Sequence, residues 1–193
     1  MKVHLAYGKD GLTVELPDRN VTVVEPQYVP GLPDEETALR DALRQPIGSP
    51  PLVDVLRPSE TVAISFCDIT RPMPNDRVLP VLLEEVERVV PRDHISLVNG
   101  TGTHRANTES ELRRMLGDRI VDHYRIVTND ARDPSTLVSV GTTASGNEIW
   151  LNRAFVEADV RLLTGFIEPH FFAGFSGGPK MVMPAVAGVD TVL

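Results

Sequence analysis

Three apolar runs constrain this chain most: "TVAISFCDI" from Thr61, "HISLVNG" from His94 and "VRLLTGFI" from Val160. Each passes directly into a polar loop rich in glycine or proline and then towards a helix. The first of them, apolar at consecutive positions, reads as a strand buried on both faces, as in a parallel sheet with helices on either side. The repeated strand, loop and helix therefore predict an α/β fold, a Rossmann-like parallel or mixed sheet with flanking helices. In such sheets ligands collect at the carboxyl ends of the strands, where all three loops fall. The ends of 61–67, 94–98 and 160–167 are expected to lie side by side.

The remaining sequence fits around that sheet. "MKVHLAYGKDGLTVELP" alternates apolar and polar residues about a Lys-Asp-Gly turn, which predicts an N-terminal β-hairpin, with "VTVVEP" as a third strand. Asp34 is placed to cap a short helix in "LPDEETALRDALRQPI". Residues 78–90 read as a helix with Pro80 in its first turn and Asn75 or Asp76 as its cap. Thr108 and Glu111 have capping-box spacing, with Gly117 as the helix stop. "YRIVTND" reads as a strand, "TLVSVGTTASGNEIWLN" as a hairpin turning at Ser145-Gly146-Asn147, and "RAFVEAD" as a short helix.

Charge and cysteine usage narrow the function. Nineteen Lys and Arg against 27 Asp and Glu give a formal charge of −8, so the field of the whole chain repels phosphate backbones and anionic membranes. Neither nucleic acid nor a membrane is an expected partner. The single cysteine, Cys67, and the lack of any n-region and h-region at the start make the cytoplasm the default compartment.

The three loops carry different chemistry. In "DITRPMPND", Arg71 is suited to bind a carboxylate bidentately and Asp68 to orient a hydroxyl or imidazole, or the two simply pair to close a turn. In "NGTGTHRAN", Arg105 stands where a dinucleotide fingerprint needs its third glycine, so the glycines are better read as letting backbone amides approach a ligand. His104 then sits exposed at the loop tip, as a site residue or a structural one. The third stretch, "GFIEPHFFAGFSGGPKMVMPAVAG", is no phosphate loop, because Pro179 precedes Lys180 and Met181 follows it. It offers His170, titratable near neutral pH, and Lys180, whose amine would become a nucleophile if buried beside Phe171, Phe172 and Phe175. A surface lysine and a packed histidine are the plainer alternative. No zinc-type ligand spacing occurs, and Ser176 lacks the strand that a serine-hydrolase elbow requires.

Taken together and in this order, "DITRP", "GTGTHR" and "GFIEPHFFAGFSGGPK" closely resemble the N-terminal domain of the nickel-dependent lactate racemase family, from about residue 12 to the end. The resemblance implies that residues 1–193 are that domain, truncated, with the remainder of it and a C-terminal domain absent. It implies that Lys180 tethers a nickel-pincer cofactor, a pyridinium-3-thioamide-5-thiocarboxylic acid mononucleotide, through a thioamide. It implies that His104 and His170 are alternating acid/base groups on opposite faces of a 2-hydroxy acid. Arg71 matches a residue that binds the substrate carboxylate, and Asp68 a polar neighbour.

The family's chemistry moves the hydrogen beside the carboxylate as hydride, because a carbanion next to an existing negative charge is too costly. The family's nickel-binding histidine lies beyond the lysine, and no histidine follows "MVMPAVAGVDTVL", so no metal ligand is assigned in this chain. The expected partners are a small 2-hydroxy acid and the missing C-terminal domain. By itself the fragment is expected to fold, to carry no cofactor, to turn over nothing, and to show an exposed apolar patch where the other half packs. The competing readings are a non-catalytic module binding an anionic metabolite and a lyase that forms a Schiff base on its lysine.

Overall fold

In the computed structural model, which describes residues 1–193, the chain divides into two units, Met1–Pro33 and Asp34–Leu193. In the first unit β1 (Lys2–Leu5) and β2 (Leu12–Glu15) pair antiparallel, with Val3 opposite Val14. Gly8 and Gly11 take the positive φ that the intervening turn requires. The third strand expected over "VTVVEP" does not form; residues 16–33 hold no helix or strand. Pro26 ends the run without a donor, and Val24 stays exposed.

The second unit begins with α1 (Glu35–Arg44), where Asp34 accepts the Thr37 amide at 3.0 Å, and a short α2 (Leu52–Val55). It continues through β3 (Val62–Cys67), α3 (Asn75–Glu87), β4 (Ile95–Gly100), α4 (Glu109–Leu116), α5 (Asp118–His123) and β5 (Arg125–Thr128). Strands β6 (Leu137–Thr142) and β7 (Glu148–Asn152) form the expected hairpin, with Gly146 at positive φ, and lead into α6 (Arg153–Val156) and β8 (Val160–Leu163). Two-residue strands β9 (Pro169–His170) and β10 (Gly174–Phe175) pair in a small hairpin before α7 (Val189–Val192). The capping box of Thr108 and Glu111 is present, and Gly117 ends α4 at φ 81°.

The sheet has the order β5-β4-β3-β8, and every pairing is parallel. The chain therefore builds outward from β3 to β5 and then returns to the opposite edge of β3. That reversal leaves a crevice at the carboxyl ends of β3 and β8. All six residues of β3 are buried. Ile64 and Phe66 face a core completed by Leu79, Leu83 and Val86 of α3, while Ala63 packs on the other side with Val98, Phe155 and Val186. Burial of a side chain such as Phe66 contributes about 1.5–3 kcal/mol.

Two boundaries differ from expectation. Helix α3 starts at Asn75, with Pro74 in the cap position and no side-chain cap, so Pro80 lies beyond the first turn. The Pro74 carbonyl accepts the amides of Arg77 and Val78, which starts the helix early. Pro80 has no N–H for the Asp76 carbonyl, and Asp76 is exposed to water that can take its place. The run 160–167 stops pairing after Leu163: the Thr164 amide makes the last ladder bond to the Ser65 carbonyl at 2.9 Å, and the Thr164 hydroxyl adds a second bond to it at 3.0 Å.

Helices α1 and α3 are joined by Glu85, which is 1 % exposed. Its carboxylate accepts from Arg44 at 2.6 Å, Arg88 at 2.8 Å and Arg40 at 3.3 Å. These donors, Arg44 foremost, hold its pKa at about 2 against the opposing effect of burial. A depressed carboxyl pKa stabilises the fold above the unfolded value of 4.5 and ceases to do so as pH falls through about 2. Glu85→Gln is expected to lower the thermal midpoint at pH 7 and to flatten the acid side of the stability profile below pH 4.5. A thermal melt series across pH 2 to 7 measures both effects.

Candidate functional site

The crevice between β3 and β8 is built from three segments, each fixed by its own sequence. After β3 the chain turns sharply, with the Arg71 amide on the Asp68 carbonyl at 3.2 Å. This leaves Asp68 5 % exposed, and its Oδ1 accepts from the Thr70 hydroxyl at 2.6 Å and amide at 3.2 Å. After β4, Gly102 takes φ +56° and gives its amide to the Ala185 carbonyl at 2.9 Å, while the His104 amide closes a turn on Thr101. A buried polar network supports this loop. The Thr101 hydroxyl donates to the Asn129 carbonyl at 2.7 Å, and Asn152 donates to Asn129 Oδ1 at 3.3 Å.

After β8 the glycine-rich segment folds back over the strand ends. A side chain at Gly165 would meet the Cα of Gly177 at 2.7 Å, so the two stretches cross with no room for a Cβ. The Ser176 hydroxyl donates to the Phe166 carbonyl and accepts the Glu168 amide, which makes it a closing bond of the loop and not a nucleophile. The Ser65 hydroxyl, at the middle of β3, donates to the Met181 carbonyl at 2.9 Å and clamps the turn Gly178–Met181 that carries Lys180.

Asp68, Arg71, His104, His170 and Lys180 all line one cavity of about 130 Å³ at these strand ends. His104 Nδ1 lies 2.7 Å from Asp68 Oδ2. The side chain of Arg71 pairs with Glu168, Nη1 to Oε1 at 3.2 Å, and not with Asp68. Its Nε and Nη2 have no protein partner and remain available to a carboxylate. His170 Nδ1 accepts the amides of Phe172 at 3.3 Å and Ala173 at 3.2 Å. Burial, then the positive charges of Lys180 and Arg71, push the His170 pKa below its ordinary value. Burial and Arg71 likewise push the Lys180 amine down.

The five residues chosen from the sequence thus converge, but the company they keep differs from the expected one. Phe171, Phe172 and Phe175 do not bury Lys180; they are 95 %, 90 % and 65 % exposed and form, with Ile167, an apolar patch around the β9–β10 hairpin. The lysine is half-buried and lines the cavity together with Cys67 and Met181 instead. Arg105 turns away and forks onto Glu111 of the capping box, at 2.8 and 2.7 Å. Sequence reasoning missed Glu168 and the Thr101–Asn129–Asn152 network. The glutamate directly before Pro169 in the glycine-rich motif was the available signal for the first, whereas the network joins strands too far apart in sequence to be paired by eye. No three His, Cys, Asp or Glu residues come together to hold a metal, and no helix is long and apolar enough to cross a membrane.

Comparison with known proteins gives a consistent picture. A family model described as the lactate racemase N-terminal domain matches residues 7–193. Lactate racemases of Thermoanaerobacterium thermosaccharolyticum and Lactiplantibacillus plantarum are 34 % and 35 % identical to 99 % of the chain. The chain spans a little under half of their length, 46 % in each. The structure of the lactate racemase apoprotein from T. thermosaccharolyticum superposes over the whole chain and 45 % of its own, with a TM-score of 0.88. A crystal structure of a protein from Thermotoga maritima covers 86 % of the chain and 41 % of its own length at a TM-score of 0.69 and 26 % identity.

The lowered pKa of Lys180 has a direct chemical readout, because the chain has only two other lysines, Lys2 and Lys9. A limiting amine-specific reagent near neutral pH is expected to label Lys180 ahead of both, as judged by peptide mass spectrometry. Arg71→Ala removes a repelling cation, so it should reduce that preference without abolishing it, since burial is the larger cause.

Proposed function

Because the chain belongs to the lactate racemase N-terminal domain family, we propose that it is the substrate-handling part of a 2-hydroxy acid racemase or epimerase. The convergence of two histidines, an arginine with free donors and a pKa-lowered lysine on one cavity at the sheet's switch point carries this reading. The remaining half of the enzyme is the partner we expect to cover the exposed phenylalanines of the β9–β10 hairpin. The single cysteine, buried and free, suits a reducing cytoplasm.

The residues fit a tethered nickel-pincer nucleotide in its organic part. Lys180 presents a half-buried amine of lowered basicity at the cavity wall, the state in which an amine can be acylated. Beside it Gly177 and Gly178, both at positive φ, keep the wall free of side chains. No three His, Cys, Asp or Glu residues cluster in the chain, so none of its residues is assigned to the nickel. When bound, the group supplies an acceptor for the hydride of the substrate's C2.

The protein's own residues do the rest. Arg71 binds the substrate carboxylate through Nε and Nη2 and fixes C2 in the cavity. A histidine on one side takes the hydroxyl proton as the carbonyl forms. The second histidine serves the hydroxyl of the opposite hand, because one base cannot reach both. The carbonyl must turn, or be approached from its other face, before the hydrogen returns.

The decisive experiment uses the full-length enzyme that contains this domain. Lys180→Ala should remove nickel and the mass that a tethered nucleotide adds to the chain together, and abolish racemisation. His104→Ala and His170→Ala should keep nickel and mass but lower racemisation by about 10² or more. The 193 residues alone should give no turnover. Unchanged ligand binding without nickel in Lys180→Ala would instead indicate an anionic-metabolite-binding module. Borohydride trapping of a 2-keto acid on Lys180 would indicate a Schiff-base lyase.

A further inference from the structure

The two histidines face the same cavity but are held by opposite kinds of group. Asp68 touches His104 through a carboxylate, which only accepts. Its other oxygen is already occupied by both donors of Thr70, so the carboxylate is fixed in place. Nδ1 of His104 must therefore carry a proton, and in the neutral ring Nε2 is left with its lone pair. His170 meets the reverse situation. The amides of Phe172 and Ala173 only donate, and both point at Nδ1. That nitrogen must be bare, so the neutral ring carries its proton on Nε2. No protein group engages Nε2 of either ring.

We propose that His104 and His170 are locked as opposite tautomers, Asp68 making His104 the resting base and the Phe172 and Ala173 amides making His170 the resting hydrogen-bond donor. The roles rest on the racemase reading above; the tautomers do not. The proton's path at His104 is complete within the substrate and the protein, with the O–H electron pair left on the substrate oxygen. The substrate O–H bond breaks, its proton joins Nε2, and the imidazolium formed is countered by Asp68. The same step is closed to His170 in this geometry, because its Nε2 already holds a proton. For Nε2 to accept, the ring proton must first move to Nδ1, where two amide N–H groups stand. These amides belong to the turn between β9 and β10, so His170 becomes a base only when that turn opens. The bared side chains of Phe171 and Phe172 would move with it. Burial and the cations Lys180 and Arg71, opposed by Glu168, push the His170 pKa below its ordinary value in the closed turn.

A racemase connects mirror images of equal free energy, so kcat/KM for the two directions must be equal and cannot report this asymmetry. Nitrogen chemical shifts can. In the 15N-histidine-labelled chain, two-bond proton–nitrogen spectra at a pH where both rings are neutral should show His104 as the Nδ1–H form and His170 as the Nε2–H form. Asp68→Ala should shift His104 towards the Nε2–H form that unconstrained imidazole favours, with His170 unchanged. Finding the same tautomer at both rings of the wild-type chain overturns the proposal, and so does an unaltered His104 in folded Asp68→Ala. The wild-type spectrum decides even where that variant fails to fold. Full-length enzyme that shows both tautomers as assigned yet retains racemisation in His104→Ala would overturn the proposed base role while leaving the tautomer lock in place.

Discussion

The parallel pairing of β3 with β4 on one edge and β8 on the other determines everything at the site. A strand paired on both edges and buried on both faces has only its carboxyl end to offer, and here that end is also where the chain's order reverses. Asp68 and Arg71 follow β3 directly, His104 follows β4, and the segment bearing His170 and Lys180 follows β8. No side chain has to reach far. The backbone has already brought the three loops together.

Position alone does not set chemistry, and the second layer of contacts does so with few bonds. The Ser65 hydroxyl and the close approach of Gly165 to Gly177 hold the Lys180 turn against the strand ends. Four polar side chains exposed by 2 % or less, Ser65, Thr101, Asn129 and Asn152, have hydrogen-bond partners around the cavity. Leaving such a group unpaired costs roughly 1–3 kcal/mol, which makes each of these bonds a constraint on loop geometry. The same loops place one carboxylate against His104 and two amides against His170, and thereby give two identical side chains different protonation patterns.

The β9–β10 hairpin stands apart from this rigid frame. Its two-residue strands, exposed aromatic side chains and histidine-capped turn bury little apolar surface, which is the physical character of a segment able to move. A rigid floor with a movable wall is the arrangement a closing, water-excluding site requires. The cavity's floor therefore lies at the end of β3, and of residues 169–175 it is His170 that lines its wall.

The sequence by itself determined the parallel strands β3, β4 and β8, the burial of β3 and the three loops that follow these strands. Consecutive apolar residues, glycine stops and the Thr108–Glu111 box act locally, and "DITRP", "GTGTHR" and "GFIEPHFFAGFSGGPK" are contiguous. It misjudged what depends on distant partners. The "VTVVEP" strand found no edge to join, Pro80 fell inside a helix that Pro74 had already started, and the phenylalanines next to Lys180 in the chain turned away from it. Tertiary structure alone decided that Glu168 faces Arg71, that Cys67 lines the same cavity as the lysine, and that Asp68 faces His104 while His170 is held by its own turn. Those contacts cross between loops or depend on a turn's exact closure. A side chain's proton follows its nearest donor or acceptor in space, which spacing along the chain does not specify.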